Sequence, residues 1–234
     1  RKPLTLLMYR AYPAVIAPFY NKFSPLDNDK LKERIQALMD KCGFRSKGIF
    51  VMDGSKRSGH GNAYFTGFGS NKRIVFFDTL LESLEPPEIE AVLAHELGHF
   101  KLKHIQKRLL STFALSLAAL ALLGWLAGEA WFYQGLGVSQ SSPWMALMLF
   151  MLAMPVFTFF LQPLLSLLSR KHEFEADAYA VQQSSGADLI HALVKMYREN
   201  ASTLTPDPLY SAFHDSHPPA PVRISHISAT MGAT

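Results

Sequence analysis

Cysteine is almost absent from this chain of 234 residues, which contains only Cys42. A single cysteine excludes an internal disulfide and any metal site built from several thiolates. Charge is also scarce, because Asp, Glu, Lys and Arg make up 18% of the residues while 49% are hydrophobic. The net charge of +4 is modest, no nucleic-acid-binding motif stands out, and we expect no nucleic-acid partner. Cys42 ends a helical pattern just before Gly43, so we interpret it as a small helix-end residue rather than a nucleophile.

Two long stretches, residues 109–127 and 143–169, have no charged side chain at all. As a helix the shorter one reaches about 28 Å, which is close to the hydrocarbon thickness of a bilayer. The second contains Pro155 and Pro163, which we expect to kink it. The alternative is a pair of buried helices in a soluble core, which the length and the lack of charge disfavour. The sequence therefore predicts two membrane spans and a lipid bilayer as a partner.

Basic residues lie on only one side of this predicted hairpin. The connection, residues 128–142, has one acid and no Lys or Arg, whereas the outer flanks carry Lys101, Lys103, Lys107, Arg108, Arg170 and Lys171. Positively charged flanks favour the cytoplasmic face of a membrane. We therefore expect the flanks of the hairpin, and any site built from them, to face the cytoplasm, in either a bacterial inner membrane or the endoplasmic reticulum membrane.

Residues 91–104 read AVLAHELGHFKLKH and contain the pattern H-E-x-x-H as His95, Glu96 and His99. Residues four apart share one helix face, so the two imidazoles can bind one metal ion. Glu96 lies beside that ion and suits a general base that takes a proton from an activated water molecule. The alternative is a buried helix whose two histidines only find hydrogen-bond partners. Pro86 and Pro87 are typical of the first turn of such a helix.

The acidic residues Glu173 and Asp177 follow the second span, in the stretch SRKHEFEADAYA. We assign this stretch to a separate helix after the span. A zinc site with two histidines and one carboxylate needs a third ligand such as Glu173, and Asp177 suits an acceptor for the free ring nitrogen of a ligand histidine. His172 and Glu175 are competing ligands, but they point about 100° and 200° away from Glu173. The alternative is a solvated acidic helix start.

The remaining periodicity predicts helices at 26–40, 187–200 and 223–230, and strands at 48–52, 62–66 and 73–78. The fold class is a mainly α integral-membrane protein whose zincin-like catalytic domain, with a small β-sheet, is interrupted by a two-helix transmembrane hairpin. The predicted domains are a juxtamembrane arm (1–24), a first part of the peptidase domain (25–104), the hairpin (105–169) and a second part (170–234). The strand NAYFT suits either an ordinary half-buried strand or an edge that pairs with substrate.

Four stretches together resemble one known family, the type I CAAX prenyl proteases, which are integral-membrane zinc metalloendopeptidases with bacterial homologues. They are residues 54–80, 93–104, 169–180 and 207–223. The resemblance implies one zinc ion per chain and matches its three ligands to His95, His99 and Glu173. It also implies further site residues: Glu96 as the catalytic glutamate, Asp177 as a supporting acid, His217 and Arg223 as a late His-Pro…Arg element, and Asn62, Ala63 and Tyr64 as the substrate-binding edge strand.

The resemblance further implies hydrolysis of peptide bonds in a peptide or protein substrate, with a prenylated C-terminal CAAX sequence preferred. Full-length members of the family resemble a seven-span protein, whereas this sequence has two clear spans and begins at Arg1 without a Met. A membrane quality-control metalloprotease of the heat-shock type is the nearest alternative. A catalytically silent scaffold is a third possible function. The presence of Glu96 argues against it, because a purely structural zinc site would not need a base.

Overall fold

The computed structural model describes residues 17–56, 59, 61–66, 73–199, 203 and 205–232, so most of the predicted juxtamembrane arm lies outside the described residues. The chain divides into two units. The first consists of Arg1–Leu102, Glu173–Pro206 and Pro218–Thr234. The second consists of Lys103–His172 and Asp207–His217. It therefore holds the predicted hairpin together with a late segment that the sequence analysis assigns to the peptidase domain.

A four-stranded sheet with strand order β1-β2-β4-β3 lies in the first unit. The strands are β1 (Phe23–Pro25), β2 (Ile49–Met52), β3 (Ala63–Thr66) and β4 (Arg73–Phe77). β2 and β4 are parallel, and the two outer strands run antiparallel to their neighbours. The sequence analysis missed β1 because it is only three residues long and contains Pro25, which is tolerated at a sheet edge. The other edge is β3, the strand whose sequence is AYFT.

The first unit also contains most of the helices. They are α1 (Ala17–Tyr20), α2 (Asp29–Lys41), α3 (Asp78–Ser83), α4 (Pro86–Lys101), α8 (Gly186–Glu199) and α10 (Ala220–Gly232), with a short 3₁₀ turn at Gly54–Lys56. Asn28 caps α2, since its side chain accepts a hydrogen bond from the backbone N–H of Leu31. Cys42 is the buried residue that ends α2, as predicted. The hydrophobic core joins α2, α4, α8 and the sheet, and its fully buried members include Ile35, Ile74 and Leu93.

Helix α4, which carries the H-E-x-x-H pattern, begins with a capping box. The side chain of Glu85 accepts from the backbone of Glu88, and the side chain of Glu88 accepts from the N–H of Glu85 at 2.7 Å. Pro86 stands in the first turn, where a missing N–H has no cost. Buried Glu88 also pairs with Lys195 of α8 at 2.7 Å. These contacts fix where α4 begins, and therefore which residues face the neighbouring helices.

The second unit is built on α5 (His104–Leu126), α6 (Ala130–Gly135), the first part of α7 (Pro143–Gln183) and α9 (Pro208–His214). The most apolar stretches of α5 and α7 are almost entirely exposed, with only 0% and 11% of their residues buried. Helices in the core of a soluble protein would be mostly buried. This pattern therefore agrees with two membrane spans.

Helix α7 corrects one prediction of the sequence analysis. It runs for 41 residues without interruption, with Pro155 and Pro163 inside it. The stretch with Glu173 and Asp177 is therefore the continuation of the second span, not a separate helix. No glycine or other helix-ending residue stands between Ser169 and Glu173, so the backbone hydrogen bonding continues into this stretch.

Candidate metal centre and active site

Three side chains from two helices converge on one point in the first unit. The Nε2 atoms of His95 and His99, one turn apart on α4, lie 3.1 Å from each other. The carboxylate of Glu173, on α7, has one oxygen 3.6 Å from His95 Nε2 and the other 3.4 Å from His99 Nε2. A zinc ion bonded at about 2.0–2.1 Å to tetrahedral ligands requires donor atoms about 3.3 Å apart. The donor types and their spacing therefore fit zinc, with a fourth tetrahedral position left open.

Close packing of α4 on α7 at Gly98 brings the third donor to this point. A Cβ atom at Gly98 would lie 3.0 Å from Cα and 3.1 Å from the carbonyl oxygen of Ala176. The backbones of the two helices thus touch one residue before His99 and three residues after Glu173. Because α7 cannot approach this closely past a larger side chain, Gly98 sets the distance between the histidines and Glu173.

Asp177 orients the ring of His95. This carboxylate is fully buried, and its Oδ1 lies 2.8 Å from His95 Nδ1. A proton on Nδ1 is donated to Asp177, which leaves the lone pair of Nε2 directed at the other two donors. Second carboxylates of this kind fix both the tautomer and the orientation of a metal-binding histidine. Asp177 lies one turn after Glu173, so the same helix supplies the carboxylate donor and the residue that orients His95.

Arg223 of α10 completes the buried cluster with a two-pronged contact to Asp177. Its Nε donates to Oδ2 at 2.9 Å and its Nη2 donates to Oδ1 at 2.5 Å. The same guanidinium has Nη1 3.6 Å from Glu173 Oε2. Burial lowers the pKa of Arg223, but the ion pair with Asp177 outweighs this effect and raises it. A permanent positive charge therefore lies beside both carboxylates and balances part of their charge.

The surroundings of His95 are anionic. Burial and the charge of Arg223 lower the pKa of His95, but hydrogen bonding to Asp177 and Glu173 outweighs both and raises it to about 9. Surroundings that stabilise a positive charge on this ring also favour a bound cation. Burial is the largest effect on half-buried Glu96 and raises its pKa, although His95 and His99 oppose the shift. A carboxylate with a raised pKa is a stronger proton acceptor than an exposed one.

The predicted substrate strand lies beside α4. Asn62 directly precedes β3, and its carbonyl accepts a hydrogen bond from the N–H of Phe77 at 2.9 Å. Ala63 and Tyr64 are the first residues of β3, opposite Phe76 and Val75 of β4. Among the described residues, no strand pairs with the outer side of β3. The structure therefore brings Asn62, Ala63 and Tyr64 to a sheet edge packed against the helix with the histidines.

His217 belongs to the second unit and is exposed. It is the last residue of that unit, and the chain enters the first unit at Pro218. Its role in the reaction stays a prediction. Arg223, five residues after Pro218, is the member of the late His-Pro…Arg element that the structure brings into the cluster.

The sequence analysis missed Tyr197, a half-buried residue of α8. Its hydroxyl donates to the carbonyl oxygen of Pro218 at 3.3 Å, and it lies close enough to Arg223 to help raise the pKa of that residue. Tyr197 therefore fastens the segment from which α10 begins. It belongs to no motif, and its helix reads as an ordinary packing element, so the sequence contains no signal that singles it out.

The profile of the peptidase family M48 matches residues 25–231, which is most of the chain. The chain belongs to peptidase family M48. Membership in M48 implies a bound metal ion, typically zinc, and the donor set of His95, His99 and Glu173 is compatible with one. The resemblance described from the sequence is thereby confirmed.

Relatives of this M48 chain include eukaryotic proteins named CAAX prenyl protease 1. The Arabidopsis thaliana homolog is 40% identical over 225 residues, covering 96% of this chain and 53% of the relative. The Saccharomyces cerevisiae protein is 38% identical over 236 residues, covering 94% and 52%. The crystal structure of S. mikatae Ste24p superposes with a TM-score of 0.87 at 38% identity, covering 96% of this chain and 56% of that one. The chain thus spans about half the length of the curated relatives it matches.

Replacement of Gly98 by Ala tests the helix contact that positions Glu173. The new methyl group would push α7 away from α4, so we expect zinc affinity to fall at least about tenfold, together with a lower melting temperature. Zinc content after dialysis against graded chelator, measured by mass spectrometry, gives the affinity. Gly124→Ala is the matched control, because a Cβ at Gly124 of α5 meets nothing within 4 Å. Equal zinc affinity in both variants would contradict the role of Gly98.

Proposed function

We propose that this chain is a membrane-embedded zinc metalloendopeptidase with one zinc ion held by His95, His99 and Glu173. The observation that carries the proposal is the spacing of the donor atoms: the two histidine Nε2 atoms lie 3.1 Å apart, and each lies 3.4–3.6 Å from one of the two carboxylate oxygens of Glu173. These distances are close to those between the ligand atoms of a zinc tetrahedron, and a set of three protein ligands leaves the fourth corner for water or substrate. The sequence position of Glu96, between the two histidines, supplies a base that a purely structural zinc site does not need.

Four side chains of the protein have separate roles in peptide hydrolysis. Bound at this site, zinc supplies Lewis-acid chemistry, polarising a scissile carbonyl and acidifying water. Glu96 accepts the proton of the attacking water and returns it to the leaving amine. Asp177 keeps His95 in the tautomer that presents Nε2. The resemblance assigns His217 as a donor to the oxyanion of the tetrahedral intermediate, and Arg223, which contacts Asp177 and Glu173, adds positive charge to the cluster.

The edge strand β3 is the proposed binding site for an extended substrate. A peptide that adds to an open sheet edge is held by backbone hydrogen bonds, so its side chains contribute less to recognition. Asn62, Ala63 and Tyr64 then form the stretch along which the substrate lies. This mode suits a peptidase whose selectivity comes from another feature of its substrate, such as a lipid group.

We propose prenylated C-terminal CAAX sequences as the substrate class, cut after the modified cysteine. Support comes from the names of the relatives, which share 34–40% identity with this chain. Support also comes from the two exposed apolar helices, since a prenylated substrate is itself drawn to the membrane. The backbone-based recognition at β3 also favours a second candidate function, a broad membrane-protein quality-control metalloprotease.

Glu96→Gln separates proton transfer from metal binding. We expect chelator-sensitive peptide hydrolysis to fall by at least about 100-fold, because the amide cannot accept a proton, while zinc content stays unchanged. Hydrolysis is followed by chromatography and zinc by mass spectrometry. The control is Glu82→Gln on α3, an exposed glutamate that should leave both quantities as they are. Loss of zinc in Glu96→Gln would contradict the role of Glu96 as a base.

A farnesylated CAAX peptide and its unprenylated twin test the substrate class. We expect the detergent-solubilised protein to cut the farnesylated peptide at least about tenfold faster, a difference of about 1.4 kcal/mol, because the lipid group anchors the substrate. A zinc chelator should stop both reactions. Equal rates for the two peptides would favour the quality-control protease. Chelator-resistant rates, or no cleavage by zinc-loaded protein, would contradict the peptidase proposal itself.

Cysteine labelling tests the cytoplasmic orientation of the catalytic face. In a Cys42→Ala background, an impermeant maleimide should label Glu33→Cys on α2 only in inside-out vesicles and Ser139→Cys in the connection only in right-side-out vesicles. Both positions are exposed. The opposite pattern would reverse the proposed orientation. Labelling of both positions from the same side would contradict the two-span hairpin.

A further inference from the structure

Helix α9 (Pro208–His214) lies in the second unit, although the chain before and after its segment belongs to the first. Neither the zinc chemistry nor the substrate strand uses this helix. Its contacts are with one face of α7, in the last turns of the uncharged stretch 143–169 and just beyond it. The position of α9 in the fold therefore needs a separate explanation.

The polar contacts between α9 and α7 lie at the carboxyl end of α9. Arg170 Nη1 donates to the carbonyl oxygen of Ser211 at 3.0 Å, and its Nη2 donates to that of Ala212 at 3.5 Å. Ser166 Oγ donates to the carbonyl oxygen of Phe213 at 3.2 Å. Carbonyls in the last turn of a helix have few partners within it, and in a membrane such groups need partners from protein. Arg170 and Ser166 provide them.

An aromatic contact carries α9 further along the span. The ring of Phe213 stacks on Phe159 of α7 at 5.4 Å between centroids and 29° between planes. Phe159, Ser166 and Arg170 lie on one face of α7 and extend over about 16 Å of its length. Arg170 is the first charged residue after the uncharged stretch. The contact face of α9 thus begins at the end of the span and reaches back into it.

The remaining surface of α9 is open and mostly apolar, with His214 beside Tyr210 as an exposed polar member. Leu209 is 68% exposed and Tyr210 is 60% exposed. Nearby span residues on α7 are equally open, with Phe160 69% and Leu164 59% exposed. A single exposed leucine on a soluble protein needs no explanation, but here the exposed side chains belong to a helix packed against a membrane span. The apolar surface of α9 therefore continues the lipid-facing surface of α7.

We propose that α9 is an interfacial helix that lies in the membrane surface at the end of the second span, with Leu209 and Tyr210 inserted among the lipid acyl chains. The ends of the helix suit a flat orientation, because Asp207 caps the first turn by accepting from the N–H of Tyr210 at 2.8 Å and Asp215 directly follows the last turn. Both acids then remain at the level of the lipid headgroups. Tyrosine is enriched at that boundary, where its ring is buried and its hydroxyl is hydrated.

This inference goes beyond the proposed peptidase activity, since it concerns how a helix that is too short to span the bilayer is attached to it. His217 follows the end of α9 by three residues. His217, the first member of the His-Pro…Arg element, is therefore only three residues from a helix at the membrane surface.

Spin labelling of the full chain tests the proposal without any assay of catalysis. In a Cys42→Ala background, single nitroxide labels are placed at Leu209, at Phe160 as the lipid reference and at exposed Lys32 of α2 as the water reference. The protein is reconstituted in nanodiscs of phosphatidylcholine and phosphatidylglycerol, and collision rates with oxygen and with a water-soluble nickel chelate are measured. We expect the label at Leu209 to lie about 5–10 Å below the headgroups, between the two references.

Two other results would each overturn the proposal. Collision rates at Leu209 equal to those at Lys32 would put α9 in water. A label shielded from both oxygen and nickel would mean that protein, either a second copy or another segment, covers α9. Tyr210→Cys gives the same readout if Leu209→Cys does not fold. Because zinc and substrate are not needed, a failed peptidase assay would leave this result unaffected.

Discussion

The buried carboxylate of Asp177 holds the proposed site together. It accepts from His95 on α4 and from Arg223 on α10 while its own helix, α7, carries Glu173. Three helices distant in sequence thus meet at one charged group with no exposure to solvent. Removing one partner of a buried ion pair leaves the other uncompensated, at a cost of about 3–5 kcal/mol. The stability of the fold and the orientation of His95, a proposed metal ligand, therefore depend on the same contact.

Helix α7 joins two roles that usually belong to different elements. Its 41 residues amount to about 60 Å, of which the first part forms a span and the last part provides Glu173 and Asp177. The third donor and its support are thus extensions of a membrane helix. The first unit supplies the remaining pieces from a compact core, where the capping box of α4 and the pair of Glu88 with Lys195 fix the helix that carries His95 and His99.

The parts that the sequence predicts well are those governed by local geometry. Helical spacing places His95 and His99 on one face, and the length of the uncharged stretches indicates the two spans. The strands at 49–52, 63–66 and 73–77 follow from short apolar runs. The meeting of Glu173 with the histidines is a long-range contact. Periodicity does not predict it, and the expectation came from the need of a zinc site for a third, carboxylate ligand and from the resemblance. The sequence analysis missed strand β1 because it contains a proline, helix α9 because it is short, and Tyr197 because it belongs to no motif. The continuity of α7 was missed because a change from apolar to charged residues suggested a boundary.

Packing constrains which residues can occupy the two variable positions of H-E-x-x-H in this chain. Leu97 is buried in the core, and Gly98 touches the backbone of the helix that carries the third donor. Transplanting only the three named residues onto a designed helix would reproduce the pair of imidazoles but would hold the partner helix too far away. A designer who wants the complete site on a new scaffold needs a glycine directly before the second histidine and a small residue opposite it.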